Sequence, residues 1–236
     1  MSTKRGERPE LGGADAALAL AHEARDLARA QAGEEAVLDD LRKLNLVPLW
    51  PSLRAMLPPA KASLANSGGV FLGREYHYDL VRPGIALFGG RALEGRPNPM
   101  QSVVKLSARI LQVRDVAHGE TVGYGAIWKV DQPARIATVA CGYADGFLRA
   151  LSVATGAPGP VGYIGDYPVP IVGRVSMDYI TADVTDVPED LTRRGAWVEV
   201  MGERVTVDDL TDRAGTIGYE LLSRLGPRVH RVYEGV

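Results

Sequence analysis

Three stretches of this chain gather residue types that can move a proton or hold an anion. GETVGYGAIW (119–128) brackets Tyr124 with glycines in β-rich text. Glycines beside a side chain let other groups approach it closely, and a phenol approached by donors or cations can act as an acid or base. Packing in a core is the alternative for such a tyrosine. ANSGG (65–69) offers Ser67 and small, turn-forming residues whose exposed N–H groups can cradle a phosphate, or simply make a turn. VRPGI (81–85) ends an apolar run with Arg82 and a Pro-Gly turn, and taken alone Arg82 reads as a structural ion-pair partner before a functional group. The two loops together are more telling, because β/α barrels often place phosphate sites on the loops after their last two strands.

Further on, GYADGF (142–147) followed by Arg149 reads as a polar loop, and VGRVSMD (172–178) as a strand running into a turn. A backbone N–H after Ser176 could meet an anion there, while Met177 could equally fill a gap in a core. His22, His77, His118 and His230 lack the spacing of metal ligands and no metal is expected. Asp208 and Asp209 read as the start of a helix, where carboxylates cap free N–H groups.

Elements to position these residues follow from the patterning. Residues 14 to 47 set leucines and valines among charged residues, which suits one or two amphipathic helices, and the prolines of LVPLWP (46–51) stop that pattern. A short helix over 53 to 57, a strand and turn over 61 to 69, and a second strand over 78 to 90 resemble β/α units. Pro97, Pro99 and the glycines at 89, 90 and 95 mark a linker. Beyond it, strands are expected over 103–113, 121–130, 135–141, 167–172, 179–184, 198–201 and 204–207, with a closing helix near 208 to 226. This is a mainly β domain, a small barrel or sandwich.

Composition bounds the function. With 27 Lys and Arg against 29 Asp and Glu, the formal charge is −2, which excludes a general nucleic-acid binder. No apolar run approaches the roughly 20 residues of a membrane span, and the N-terminus has no signal-like apolar stretch. A single cysteine, Cys141, fits a cytoplasmic setting without disulfides.

ANSGG, DLVRPGIALFGG, GETVGYGAIW, GYADGF, PIVGRVSMDY and IGYELL, in this order and spacing, resemble the alanine racemases, which depend on pyridoxal 5′-phosphate. The resemblance covers about residues 53 to 236. It implies an α/β fold, the last two β/α units of a TIM-type barrel followed by a mainly β C-terminal domain. The division expected is an unrelated helical segment over 1–52, a partial cofactor-binding barrel over 53–95 and the racemase β domain over 101–236. It further implies that Ser67, Gly84 and Ile85 contact the cofactor phosphate and that Arg82 meets the pyridine nitrogen. Tyr124 matches the base that removes the α-proton of L-alanine. Met177 matches the residue whose N–H binds the substrate carboxylate, and Tyr143, Arg149 and Arg174 match the substrate entryway. A free phenol ionises near pH 10, so a base of this kind working near neutrality needs its anion stabilised by about 4 kcal/mol.

The expected activity is interconversion of L- and D-alanine, supplying D-alanine as a peptidoglycan precursor, in a homodimer or in a heterodimer with a complete racemase. The family attaches its cofactor to a lysine in a Lys-Ala-x-x-Tyr-Gly motif, and none of Lys4, Lys43, Lys61, Lys105 or Lys129 stands in that context. A barrel of this type needs at least about 200 residues and roughly 100 precede the β domain here, so it is not expected to close alone. Two further departures are Ser63, where many members carry a histidine, and LGPRV (225–229), which lacks a phosphate-binding tyrosine. The competing expectation is an inactive fragment or a docking partner of a full-length racemase.

Overall fold

The structure, a computed structural model, describes Pro51, Ala55 and residues 58–235. The helices expected over 14 to 47 lie outside the described residues; within the helix expected over 53 to 57 only Ala55 is described, and it is helical. Among the described residues no helix is long and apolar enough to cross a membrane. The chain divides into two compact units, one made of residues up to Pro83 with Ala92–Pro97, the other of Gly84–Arg91 with Asn98–Val236.

In the first unit the backbone runs through Ala65 and Asn66 into helix α1 (Ser67–Leu72), then returns so that Asn66 and Arg82 form a parallel bridge. The Arg82 N–H donates to the Ala65 carbonyl at 2.8 Å. Here two expectations need correction. ANSGG is the first turn of a helix, because the Asn66 side chain accepts the Gly69 N–H at 2.9 Å and so satisfies an otherwise orphaned donor. The second strand, expected over 78 to 90, is one bridge only. Pro83 has no N–H with which to extend the ladder, and Ile85–Phe88, which belong to the second unit, coil into a 3₁₀ turn that ends on Gly89 in the left-handed region (φ 80°).

In the second unit six antiparallel strands close a barrel: β1 (Leu106–Val116), β4 (Ala134–Val139), β7 (Ile180–Asp183), β6 (Tyr167–Val172), β5 (Val161–Ile164), β8 (Trp197–Met201), and back to β1. A short hairpin, β2 (Thr121–Val122) with β3 (Trp128–Lys129), projects between β1 and β4. Strand β1 serves two partners, Leu106–Arg109 pairing with β8 and Ile110–Val116 with β4; its register shifts at Leu106/Ser107 and Ile110/Gln112 let it bend round the barrel. The interior is filled by alternate residues of these strands, among them Ile110, Ala137, Val139, Val169, Ile180, Ala182, Val198 and Met201, all buried. Leu210 of α2 (Val207–Ala214) and Leu221 of α3 (Gly218–Arg224) join the same core.

The barrel alternative is therefore the correct one. Strand β5 was not expected; the segment expected as a strand over 204 to 207 is instead a turn running into α2, because Thr206 and Asp209 form a reciprocal capping box. Gly215, left-handed at φ 69°, splits the expected single closing helix into α2 and α3. Asp209 caps as its sequence position implies, while Asp208 accepts the Arg91 N–H at 2.9 Å and the Asn98 side-chain amide at 2.8 Å.

Candidate active site

The expected strand over 121 to 130 is interrupted where the chemistry was anticipated. Tyr124–Ala126 form a 3₁₀ turn between β2 and β3, with Gly123 at φ 78°, Gly125 at φ 73° and Ala126 at φ 48°. These left-handed values turn the chain sharply without a long loop, and only glycine adopts most of them cheaply. Val122 and Val130 anchor the hairpin base in a small cluster with Ile136 and Val172. Thr155 ties its far strand, accepting the Lys129 N–H at 2.6 Å and donating its own N–H to the Ile127 carbonyl at 3.0 Å. Tyr124 is thus held by its backbone while its side chain is 72% exposed, which removes core packing as its role. The Arg174 Nε–H donates to the Tyr124 carbonyl at 3.1 Å.

Arg174 begins the segment that also carries Met177. Two residues on, the Ser176 carbonyl accepts the Tyr143 N–H at 3.0 Å and the Met177 carbonyl accepts the Ala144 N–H at 2.9 Å. Gly142 lies so close that a Cβ there would run into the Met177 carbonyl. The Met177 side chain is 53% exposed, so it fills no core gap. Among the described residues its N–H donates to no protein acceptor. The loop 142–146 and the loop 173–179 therefore form one hydrogen-bonded block, and the second of them reaches the tyrosine hairpin. Tyr143 and Arg149 stand exposed on this block, and Arg174 is half-buried.

Beneath the block sit groups that residue patterning did not single out. The Asp145 carboxylate accepts the Gly142 N–H at 2.9 Å and forms an ion pair with the Arg228 Nε at 3.1 Å, and a second Arg228 nitrogen lies 2.8 Å from Asp178. The hydrogen bond to Asp178 and the charge of Asp145 raise the Arg228 pKa. Cys141, on the inner side, is pushed up to about 12 by burial and then by Asp145, so its thiol is no nucleophile. His77 and His118 bond the carbonyls of Val70 and Asp131.

The four residues expected at the cofactor are divided between the units. In the first, Ser67 opens α1 and is 1% exposed, and Arg82 donates to the Ser63 hydroxyl and, at 3.4 Å, to the Leu64 carbonyl. In the second, Gly84 precedes the 3₁₀ turn with nothing within 4 Å of where a Cβ would stand, and Ile85 is buried with its side chain against Gly90 and Gly218. Only the Ile85 backbone could serve a ligand. Within the first unit, the Ser67 hydroxyl and the Arg82 guanidinium are groups of the kind that bind a phosphate and an aromatic nitrogen acceptor.

Residues 103–233 match the family model of the alanine racemase C-terminal domain, and residues 27–92 that of the alanine racemase N-terminal domain. This chain belongs to the alanine racemase family. The family likeness starts at residue 27, inside the segment whose composition read as unrelated helices. The alanine racemase of Rhizobium meliloti is 53% identical over 180 residues, which are 74% of this chain and 48% of that protein. That of Rhodospirillum rubrum is 49% identical, covering 80% of this chain and 49% of its own length. The chain thus spans about half the length of the curated racemases it matches. Among solved structures, the alanine racemase of Bartonella henselae, described with covalently bound pyridoxal phosphate, superposes with a TM-score of 0.71 at 39% identity, over 81% of this chain and 52% of that one. The Streptomyces coelicolor alanine racemase gives 0.72 at 29% identity, over 80% and 51%. The fold is accordingly the racemase one: part of the α/β barrel, then the β-rich C-terminal domain.

Proposed function

We propose that this chain takes part in the interconversion of L-alanine and D-alanine, with pyridoxal 5′-phosphate as cofactor, supplying D-alanine in the cytoplasm for peptidoglycan precursors. The observation that carries this reading is the connected block in which Arg174 holds the Tyr124 backbone while the same segment, three residues later, offers a Met177 N–H that has no acceptor among the described residues. A proton acceptor and a carboxylate donor are what an α-proton transfer on an amino acid needs.

When bound, the cofactor supplies an electron sink for the carbanion left at Cα. Ser67 and the backbone at Gly84 and Ile85 would hold its phosphate, and Arg82 would face its ring nitrogen. As a cationic donor, Arg82 would disfavour protonation of that nitrogen. Tyr124 is the base that takes the α-proton of L-alanine at its phenolic oxygen, and returns it in the reverse direction. Met177 orients the substrate through the carboxylate. Tyr143, Arg149 and Arg174 line the way in, where the two arginines can meet the substrate carboxylate.

The other face of Cα requires a second base, and none of the five lysines stands in the family's motif. The assembly proposed is a homodimer or a heterodimer with a complete racemase, in which Tyr124 of one subunit serves the site that holds the cofactor lysine. The test is a coupled D-alanine assay on this chain mixed with a racemase whose own equivalent of Tyr124 has been replaced by phenylalanine. Recovery of D-alanine formation supports the reading; no recovery despite demonstrated heterodimers overturns it.

A further inference from the structure

We infer that Arg228 is a positioning residue that aims the Met177 N–H, so that the C-terminal turn of the chain sets the carboxylate donor. What that N–H binds rests on the function proposed above; that Arg228 aims it does not.

The Ser176 carbonyl and the Met177 N–H belong to one planar trans peptide, so fixing the carbonyl fixes the opposite direction of the N–H. The carbonyl is fixed by the Tyr143 N–H at 3.0 Å, and the next carbonyl, of Met177, by the Ala144 N–H at 2.9 Å. Both donors sit on the tight turn 142–146, where the Asp145 N–H and the Phe147 N–H close on the Gly142 carbonyl. That turn is held from inside by the Asp145 carboxylate on the Gly142 N–H. Asp145 has one oxygen left, and Arg228 takes it while its other nitrogen takes Asp178, the residue after Met177. One planar guanidinium thus spans both loops. A lysine could not do so with a single fork.

The turn bearing Arg228 is itself ordered. Gly146 comes so near the end of α3 that a Cβ would lie 2.9 Å from the Arg224 carbonyl, and Arg231 donates to the Leu225 and Gly226 carbonyls at 2.5 and 3.4 Å. Among the described residues Arg231 therefore shares the terminal turn with Arg228 but makes no hydrogen bond or ion pair to either loop, which makes it the control.

The experiment uses the full chain labelled with nitrogen-15, reading amide shifts and amide hydrogen exchange for wild type, Arg228→Gln, Arg228→Lys and Arg231→Gln. The expected result for Arg228→Gln is displacement of the Met177 amide resonance and exchange at Tyr143 and Ala144 faster by about three- to tenfold. Arg228→Lys gives an intermediate change, and Arg231→Gln leaves these amides at their wild-type values. Changes confined to residues 226–231, or equal loosening by Arg231→Gln, overturn the inference. Should the glutamine variant not fold, the lysine variant decides: intermediate loosening supports it and wild-type exchange overturns it. Adding L-alanine to the labelled wild type in its heterodimer with a complete racemase, supplied with pyridoxal 5′-phosphate, separates the two readings, because a Met177 amide that ignores L-alanine there removes its role as carboxylate donor without touching the coupling to Arg228.

Discussion

Arg174 donates its Nε–H to the Tyr124 carbonyl at 3.1 Å, and its own amide nitrogen would lie 3.3 Å from a Cβ placed on Gly123. The glycines around the tyrosine thus serve the approach of an arginine backbone and the sharp exit from β2. The hydroxyl end of Tyr124 stays exposed because the restraint acts on its main chain.

Gly123 has φ 78° and ψ −179°, a region that essentially only glycine occupies. Gly123→Ala should cost about 1–3 kcal/mol and lower the thermal midpoint by roughly 2–10 °C. Arg174→Gln, which removes one partly solvated hydrogen bond, should cost less than about 1.5 kcal/mol. Calorimetry on the two variants checks the order; an alanine variant as stable as wild type would contradict the hairpin geometry.

Cys141 gives the stability a sign at alkaline pH. Its thiol is raised from 9.0 to about 12 in the folded chain, so above pH 9 the unfolded state loses the proton while the folded state keeps it. The folded state then holds more protons, and stability falls with rising pH by up to about 1.4 kcal/mol per pH unit between 9 and 12. Below pH 9 the group contributes no slope. Denaturant titrations from pH 8 to 11 should show this slope in the wild type and lose it in Cys141→Ala; parallel curves would contradict it.

Much of the β domain is legible in the sequence. Strands β4, β6, β7 and β8 stand out because apolar residues alternate between turn-forming neighbours. Strand β5 escapes because Pro160 precedes it and Gly162 interrupts it; a Cβ at Gly162 would lie 3.0 Å from the Glu199 carbonyl, so a barrel contact imposes a residue that weakens the strand signal. The second expected strand of the first unit fails for the opposite reason, its apolar run being cut by Pro83. Tyr124 is marked by its glycines. Arg228 carries no such mark, since its partners Asp145 and Asp178 lie far away in sequence and only the folded loops bring them together.

The isolated chain should show no alanine racemase activity above background when supplied with pyridoxal 5′-phosphate, because none of its lysines stands in the cofactor-binding motif. A coupled D-alanine assay checks this. Turnover that survives purification and disappears on Tyr124→Phe would contradict it.

The identity of Tyr124 as the base for L-alanine is tested most directly by loss of the α-proton of L-alanine in deuterium oxide, followed by proton NMR. The assay mixes this chain with a complete racemase that keeps its lysine but has phenylalanine in place of its own equivalent of Tyr124. With heterodimers demonstrated by light scattering, the wild-type chain should restore exchange of the L-alanine α-proton, and the Tyr124→Phe chain should not. Equal exchange with both chains, or none with either, would show that this tyrosine does not move the proton.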